Sequence, residues 1–438
     1  MITWQNLTQE QQQQCLLRPA LSNKDSLSST VAELIEKVKT QGDSAIIELT
    51  KKFDGVELEQ VALPNSLKQS SLAQLTPARK QAIELAYANI NAFHQAQKQN
   101  TITVETTPGV VCELRTTAIK SVGLYIPGGS APLPSTVLML GIPAQIAGCK
   151  RVVLCTPPDT SEANFASITP EILYAAKLCG ITEIYRTGGA QAIAAMAYGT
   201  DSISKVDKIY GPGNSFVTEA KQQVNNDPLA AVIDMPAGPS EVLVIADKYA
   251  NPAFVAADLL SQAEHGPDSQ VLLVSDSAEL IEQTKIALEQ QLALLPRADI
   301  AKQALENSSL ILTNSLAQSI EVSNAYAPEH LIVQTEDADA LLPELENAAS
   351  IFVGAYTPES AGDYASGTNH VLPTYGYSKS LSSLNLDDFC RKFTVQTVTK
   401  QGMLNIGPAI EVLADAEGLD AHKYAVSVRL AELKKEGL

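Results

Sequence analysis

The chain has 438 residues, with 31 Lys plus Arg against 49 Asp plus Glu and a formal net charge of −18. That length exceeds one ordinary core, so two or more domains are expected, and 45% hydrophobic residues exclude wholesale disorder. The acidic balance argues against binding nucleic acid or an anionic membrane through overall charge, but leaves room for a phosphate held locally by backbone N–H groups.

At the N-terminus, Met1-Ile2-Thr3-Trp4-Gln5 is not a basic segment followed by an apolar one, so no secretory leader is evident and a cytoplasmic protein is expected. The first hundred residues read as helical, with Gln9–Gln14 a polar low-complexity piece. Thr30-Val-Ala-Glu33 fits a capping box, followed by an apolar stripe of Val31, Leu34, Ile35 and Val38 and a stop at Gly42. Thr76-Pro77 opens a second helix whose buried face would be Ile83, Tyr87, Ile90 and Phe93.

After about residue 118 short β-branched runs alternate with helical segments. The strand candidates are 122–126, 151–155, 183–185, 208–210, 231–233, 241–245, 271–274, 309–312, 331–333 and 350–353. Near-continuous apolar strands separated by helices indicate parallel sheets covered on both faces. Their number predicts two such sheets, hence two α/β domains with incomplete Rossmann-like folds. The apolar run 137–146 is short and contains Pro143, so it cannot span a bilayer. Asp159–Thr169 reads as a polar surface loop, and the chain after about 380 returns to helix.

Histidine carries most of the chemical signal. His94 lies near the edge of a helical stripe and reads as a packing residue. Gln262 and His265, at i and i+3 near a helix end, place two donors on one face, which suits a metal; the alternative is a histidine capping the helix before Gly266. Glu329-His330 sits at a loop-to-strand junction and offers an acid/base pair, although a lone Glu-His pair is common. The segment from Pro358 to Pro373, with Asp363 and His370, is a polar stretch after a strand, either a ligand loop or surface. Glu417 to His422 says almost nothing alone. Glycine-rich turns come after strands at Tyr125–Ser130, Gly188–Gln191 and Tyr210–Asn214, where backbone N–H groups can approach a phosphate; none fits G-x-G-x-x-G. The six cysteines have no metal-ligand spacing, and Cys149 and Cys155 read as packing residues, not thiol nucleophiles.

Together these segments resemble the histidinol dehydrogenase family from about residue 25 to the end. The most specific stretches are Pro236–Asp247 (PAGPSEVLVIAD), Asp258–Gln270 (DLLSQAEHGPDSQ) and Glu359–Thr374 (ESAGDYASGTNHVLPT). The loop 159–169 is longer than is usual there. The resemblance implies oxidation of L-histidinol to L-histidine through a bound L-histidinaldehyde, with two NAD consumed and one zinc ion per subunit. It implies Gln262, His265, Asp363 and His422 as zinc ligands and Glu329 and His330 as acid/base residues. Ser240, His370 and Glu417 would help hold substrate, and Tyr125, Gln191 and Asn214 would contact NAD. It further implies a homodimer in which Glu417 and His422 reach the partner's site. The expected division is an N-terminal helical arm 1–25, a larger α/β domain 26–126 with 237–380 carrying zinc and catalytic residues, an inserted NAD-binding domain 127–236, and a C-terminal arm 381–438. Rival readings are a relative acting on another amino alcohol, a zinc hydrolase with Glu329 as base, and a non-catalytic zinc protein.

Overall fold

The computed structural model describes residues 1–18, 24–128, 132–236 and 238–437. The chain divides into two compact units, one of Met1–Gln97 with Ile119–Asp388 and the other of Lys98–Ala118 with Phe389–Leu438. Among the described residues, no helix is long and apolar enough to cross a membrane.

The strands are β1 (Ile2–Thr3), β2 (Ile102–Thr107), β3 (Val110–Ala118), β4 (Ser121–Tyr125), β5 (Arg151–Thr156), β6 (Glu183–Arg186), β7 (Lys208–Tyr210), β8 (Val232–Ile233), β9 (Glu241–Ala246), β10 (Gln270–Ser275), β11 (Ser309–Leu312), β12 (His330–Gln334), β13 (Ser350–Val353) and β14 (Cys390–Val398). All ten runs expected as strands form strands of the first unit. Together with β1 they make a five-stranded sheet, β6-β5-β4-β7-β8, and a six-stranded sheet, β1-β11-β10-β9-β12-β13. Every pairing in both is parallel. Leaving out β1, each sheet runs third-second-first-fourth-fifth in chain order, the Rossmann order short of its sixth strand. All residues of β9 and β10 are buried, as a sheet covered on both faces requires.

The apolar run 137–146 falls in the helix Pro134–Ala147, buried from Ser135 through Ala144. A helix apolar all round belongs in a core, and this one lies there despite Pro143. Thr76 caps the helix Pro77–Gln95 by accepting from the Arg79 N–H, as expected. That helix buries Ile83, Ala86, Ile90 and His94, while Phe93 is exposed, so the apolar stripe is rotated from the expected one.

Other expectations are corrected. Thr30 and Glu33 lie inside the helix Lys24–Gln41, so they do not start it. A capping box occurs instead at Thr8 and Gln11, opening the helix Gln9–Cys15 from the low-complexity stretch. The N-terminal piece is not wholly helical, since Ile2–Thr3 adds an edge strand against β11. The segment after 380 is not all helix: it carries β14, which pairs antiparallel with β3, as β3 does with β2, making the sheet of the second unit. The helices Lys400–Ala416 and Asp420–Lys435 complete that unit, packing where Gly407 leaves room for Leu430. Loop 159–169 is tied down, with Ser71 Oγ 2.9 Å from Asn164 Oδ1 and 2.8 Å from Ser167 Oγ.

Candidate active site

A cavity of about 1000 Å³ opens in the first unit. Its walls come from opposite edges of the two parallel sheets. The five-stranded sheet contributes residues just past the ends of its strands: Pro127 after β4 and Gly211–Ser215 after β7. The six-stranded sheet contributes residues that precede or begin its strands: Ser240 before β9, Ser269 before β10, and Glu329 with His330 at β12.

Gln262, His265, Asp363 and His370 also line this cavity. Gln262 is on the helix Pro252–Ala263, and His265 comes just after that helix, its backbone N–H bonded to the Gln262 carbonyl at 3.2 Å. Asp363 lies on the helix Glu359–Tyr364, inside the stretch read as a loop. His370 Nδ1 is 3.0 Å from the Asp363 carbonyl oxygen, and its Nε2 is 3.2 Å from Thr136 Oγ1.

His330 is the hub. Its Nδ1 lies 2.8 Å from the Gln262 side-chain nitrogen, 3.2 Å from the Glu241 carbonyl oxygen and 3.7 Å from Glu329 Oε2. Its Nε2 lies 3.5 Å from Asp363 Oδ1. Glu329 Oε2 accepts the Glu241 backbone N–H at 2.8 Å. Burial pushes the Glu329 carboxyl up to about 8. For His330 burial pulls the other way, but Glu359, Glu329 and Asp363 outweigh it and raise the imidazole to about 10. Burial lowers His265 and His370. Asp363 is held below its ordinary value because the His330 hydrogen bond and charge overcome its burial.

The donors of His265, Glu359 and Asp363 lie within 4.8 Å of one another. Gln262 Oε1 is buried without a hydrogen-bond partner, as is Glu359 Oε2. Buried polar atoms need partners. A nitrogen-and-oxygen donor set with two such atoms fits a borderline cation such as Zn²⁺. Glu359 escaped the sequence reading. Its signal, a carboxylate four residues before Asp363, appears only once the segment is known to be helical.

The glycine turns allow close packing. Gly211 has φ +126°, and a Cβ there would lie 2.1 Å from the Tyr125 carbonyl oxygen. Asn214 caps the helix Ser215–Asn225 and lines the cavity. Tyr125 and Gln191 are buried outside the lining, the Tyr125 hydroxyl accepting the Gly189 N–H at 3.1 Å. Gly129, Ser130 and Ala131 of the first turn, and Ala237 of the PAGPSE segment, lie outside the described residues. Glu417 and His422 are exposed on the helical part of the second unit. Cys155 is fully buried in β5, where burial pushes its thiol up, so it is no ready thiolate.

A family model described as histidinol dehydrogenase matches residues 17–430. The chain belongs to that family. A histidinol dehydrogenase of Colwellia psychrerythraea is 60% identical over 432 residues, covering 99% of each chain. One from Vibrio parahaemolyticus is 58% identical, covering 99% of this chain and 98% of the relative. The crystal structure of histidinol dehydrogenase from Elizabethkingia anophelis matches with TM-score 0.93 at 50% identity, covering 99% of this chain and 98% of that one. As a histidinol dehydrogenase family member, the chain is an oxidoreductase, and the fully buried Cys155 gives no support to a thiol route.

Proposed function

We propose that this enzyme oxidises L-histidinol to L-histidine in two NAD-dependent steps through a bound L-histidinaldehyde, closing histidine biosynthesis. The observation that carries the reading is the convergence of Glu329, His330, Gln262, His265 and Asp363 on one cavity that also receives the Gly211–Asn214 turn. Gln262, His265, Asp363 and a partner's His422 would hold Zn²⁺, with Glu359 beside them. Bound there, Zn²⁺ would orient the substrate's imidazole and amine as a template and offset the carboxylate charge that keeps His330 protonated.

With His330 Nδ1–H donated to the Glu241 carbonyl oxygen, Nε2 is the ring nitrogen that takes the proton. In the first oxidation it takes the alcohol proton as hydride leaves for NAD. In the second, Glu329 directs water onto the aldehyde and His330 takes a proton from the hydrate as the second hydride leaves. Ser240, His370 and a partner's Glu417 hold the substrate, and Asn214, with Tyr125 and Gln191 behind the turns, serves NAD.

The assembly in this reading is a cytoplasmic homodimer with shared sites. Support comes from Val412, Leu413, Leu419, Tyr424 and Val428, which expose apolar surface on the second unit. The division into 1–25, 26–126 with 237–380, 127–236 and 381–438 belongs to the same proposal, with β4 supplying the five-stranded sheet from ahead of residue 127.

The test is NADH formed per L-histidinol at limiting substrate, before and after chelation. Two NADH per substrate, lost with zinc and regained on its return, is expected. One NADH means that the aldehyde escapes and the Glu329 step is misassigned. No NADH from folded, zinc-loaded enzyme overturns the substrate in favour of another amino alcohol or of hydrolysis.

A further inference from the structure

We infer that Arg18 and Glu241 are positioning residues that hold the acid/base pair Glu329 and His330 in register; this rests on the proposed oxidation chemistry. Arg18 lies in the stretch after the helix Gln9–Cys15. Its guanidinium meets the Glu241 carboxylate in a two-pronged contact, Nε donating to Oε1 at 3.0 Å and Nη2 to Oε2 at 2.9 Å. The carboxylate also accepts the Tyr375 N–H at 2.8 Å, and its side chain is 2% exposed. Such a fork fixes direction as well as distance.

The backbone of Glu241 gives the contact a role in the site. Its N–H is donated to Glu329 Oε2 and its carbonyl oxygen faces His330 Nδ1. One residue's two main-chain groups therefore touch both acid/base side chains, and its own side chain is fixed by Arg18. The same guanidinium reaches the end of the helix Leu316–Tyr326, which leads into β12. Nη2 donates to the Tyr326 carbonyl at 2.7 Å, and Cζ lies 3.8 Å from the centre of the Tyr326 ring. Ala327, next in the chain, holds a left-handed φ of 56°, unusual for a residue with a Cβ, just two residues before Glu329.

The arm itself is docked for this purpose. Gln270 Nε2 donates to the Leu17 carbonyl at 3.0 Å, while Gln270 Oε1 accepts from the Tyr326 hydroxyl at 2.9 Å. Arg18 thus joins the start of β9 to the turn that delivers Glu329 and His330 to β12. A displacement of the pair by an ångström is enough to slow proton transfer about 100-fold.

The test uses zinc-loaded full-length enzyme with Arg18→Ala, Arg18→Lys and Glu241→Gln. A 10- to 100-fold loss in kcat is expected for Arg18→Ala, roughly the cost of misplacement, with zinc content and both KM values little changed. Arg18→Lys recovers only part, because an ammonium cannot span both carboxylate oxygens. Methylguanidinium restores part of the Arg18→Ala rate, which lost stability alone would not allow. Wild-type kcat in folded Arg18→Ala, or a loss tracking zinc content, overturns the inference. Wild-type enzyme that makes no NADH from L-histidinol defeats the substrate reading instead. The ¹⁵N shifts of His330 in zinc-free protein then decide the pairing: movement in Glu241→Gln and Arg18→Ala supports it, and unmoved shifts overturn it.

Discussion

The two parallel sheets share a strand order but use opposite edges. In the five-stranded sheet the carboxyl edge meets the cavity through a glycine turn: Gly211, φ +126°, brings the backbone so close to Tyr125 that no side chain fits there. In the six-stranded sheet the amino edge meets the cavity, and it does so with side chains, Glu329 and His330 at the start of β12. At the carboxyl edge of this second sheet Asp247, just past β9, accepts the N–H groups of Tyr249 and Glu336 at 2.9 and 2.8 Å, so its carboxylate ties together the segments that follow the first and fourth strands. The same topology thus supplies a backbone cradle in one half and an acid/base wall in the other. Strand order therefore does not assign the chemistry; the residues at each edge do.

The largest expected effect tests the side-chain edge. His330→Asn removes the proton acceptor but not the donors of the metal site. Both oxidations should slow by roughly 100- to 10,000-fold, with zinc retained, measured as single-turnover NADH formation and metal content. Unchanged turnover would end the claim that this edge carries the chemistry. The backbone edge is next. Gly211→Ala should cost about 1–3 kcal/mol of stability and raise the KM for NAD while leaving zinc content alone. Asp247→Asn, at the carboxyl edge of the six-stranded sheet, should cost about 1 kcal/mol by thermal unfolding and leave the KM for NAD unchanged. A rise in that KM for Asp247→Asn would mean that this edge also serves the cofactor.

Ten of the eleven parallel strands among the described residues were legible, all but the two-residue β1, because strands buried on both faces need unbroken apolar, β-branched runs, and few other segments look like that. The antiparallel sheet of the second unit was not. β2 is almost wholly exposed and β14 is mostly exposed and mixes Arg, Lys, Thr and Gln with its apolar residues, so neither stands out from loop or helix. The site divides the same way. Histidines and glycine turns announce themselves by residue type. Glu359 is silent until a six-residue helix aligns it with Asp363. Arg18 and Glu241 are 223 residues apart, and no local pattern marks a pair that only the tertiary fold joins.

The smallest effect concerns the charge state of the side-chain edge, and it sharpens the contrast with the other edge, where the charges of Lys221 and Asp234 are paired with each other beside Gly211. In zinc-free protein His330 should remain an imidazolium well above neutral pH, since neighbouring carboxylates overcome its burial and hold it near 10. The sign comes from linkage: a histidine raised on folding adds stability that is full below its ordinary value of 6.5 and disappears as pH rises through about 10. Glu359, the carboxylate with the largest upward influence on the ring, sets a second arm: Glu359→Gln should move the His330 titration to lower pH. Imidazole ¹⁵N shifts followed against pH in the zinc-free protein read both. A ring already neutral at pH 8 would mean that the carboxylates do not act on it as placed. Zinc should then shift the same titration downward, because a dication beside Asp363 and Glu359 offsets the charge that holds the proton. A pH-dependent affinity for NAD with the same midpoint would show that the His330 charge is felt across the cavity at the Gly211–Asn214 turn.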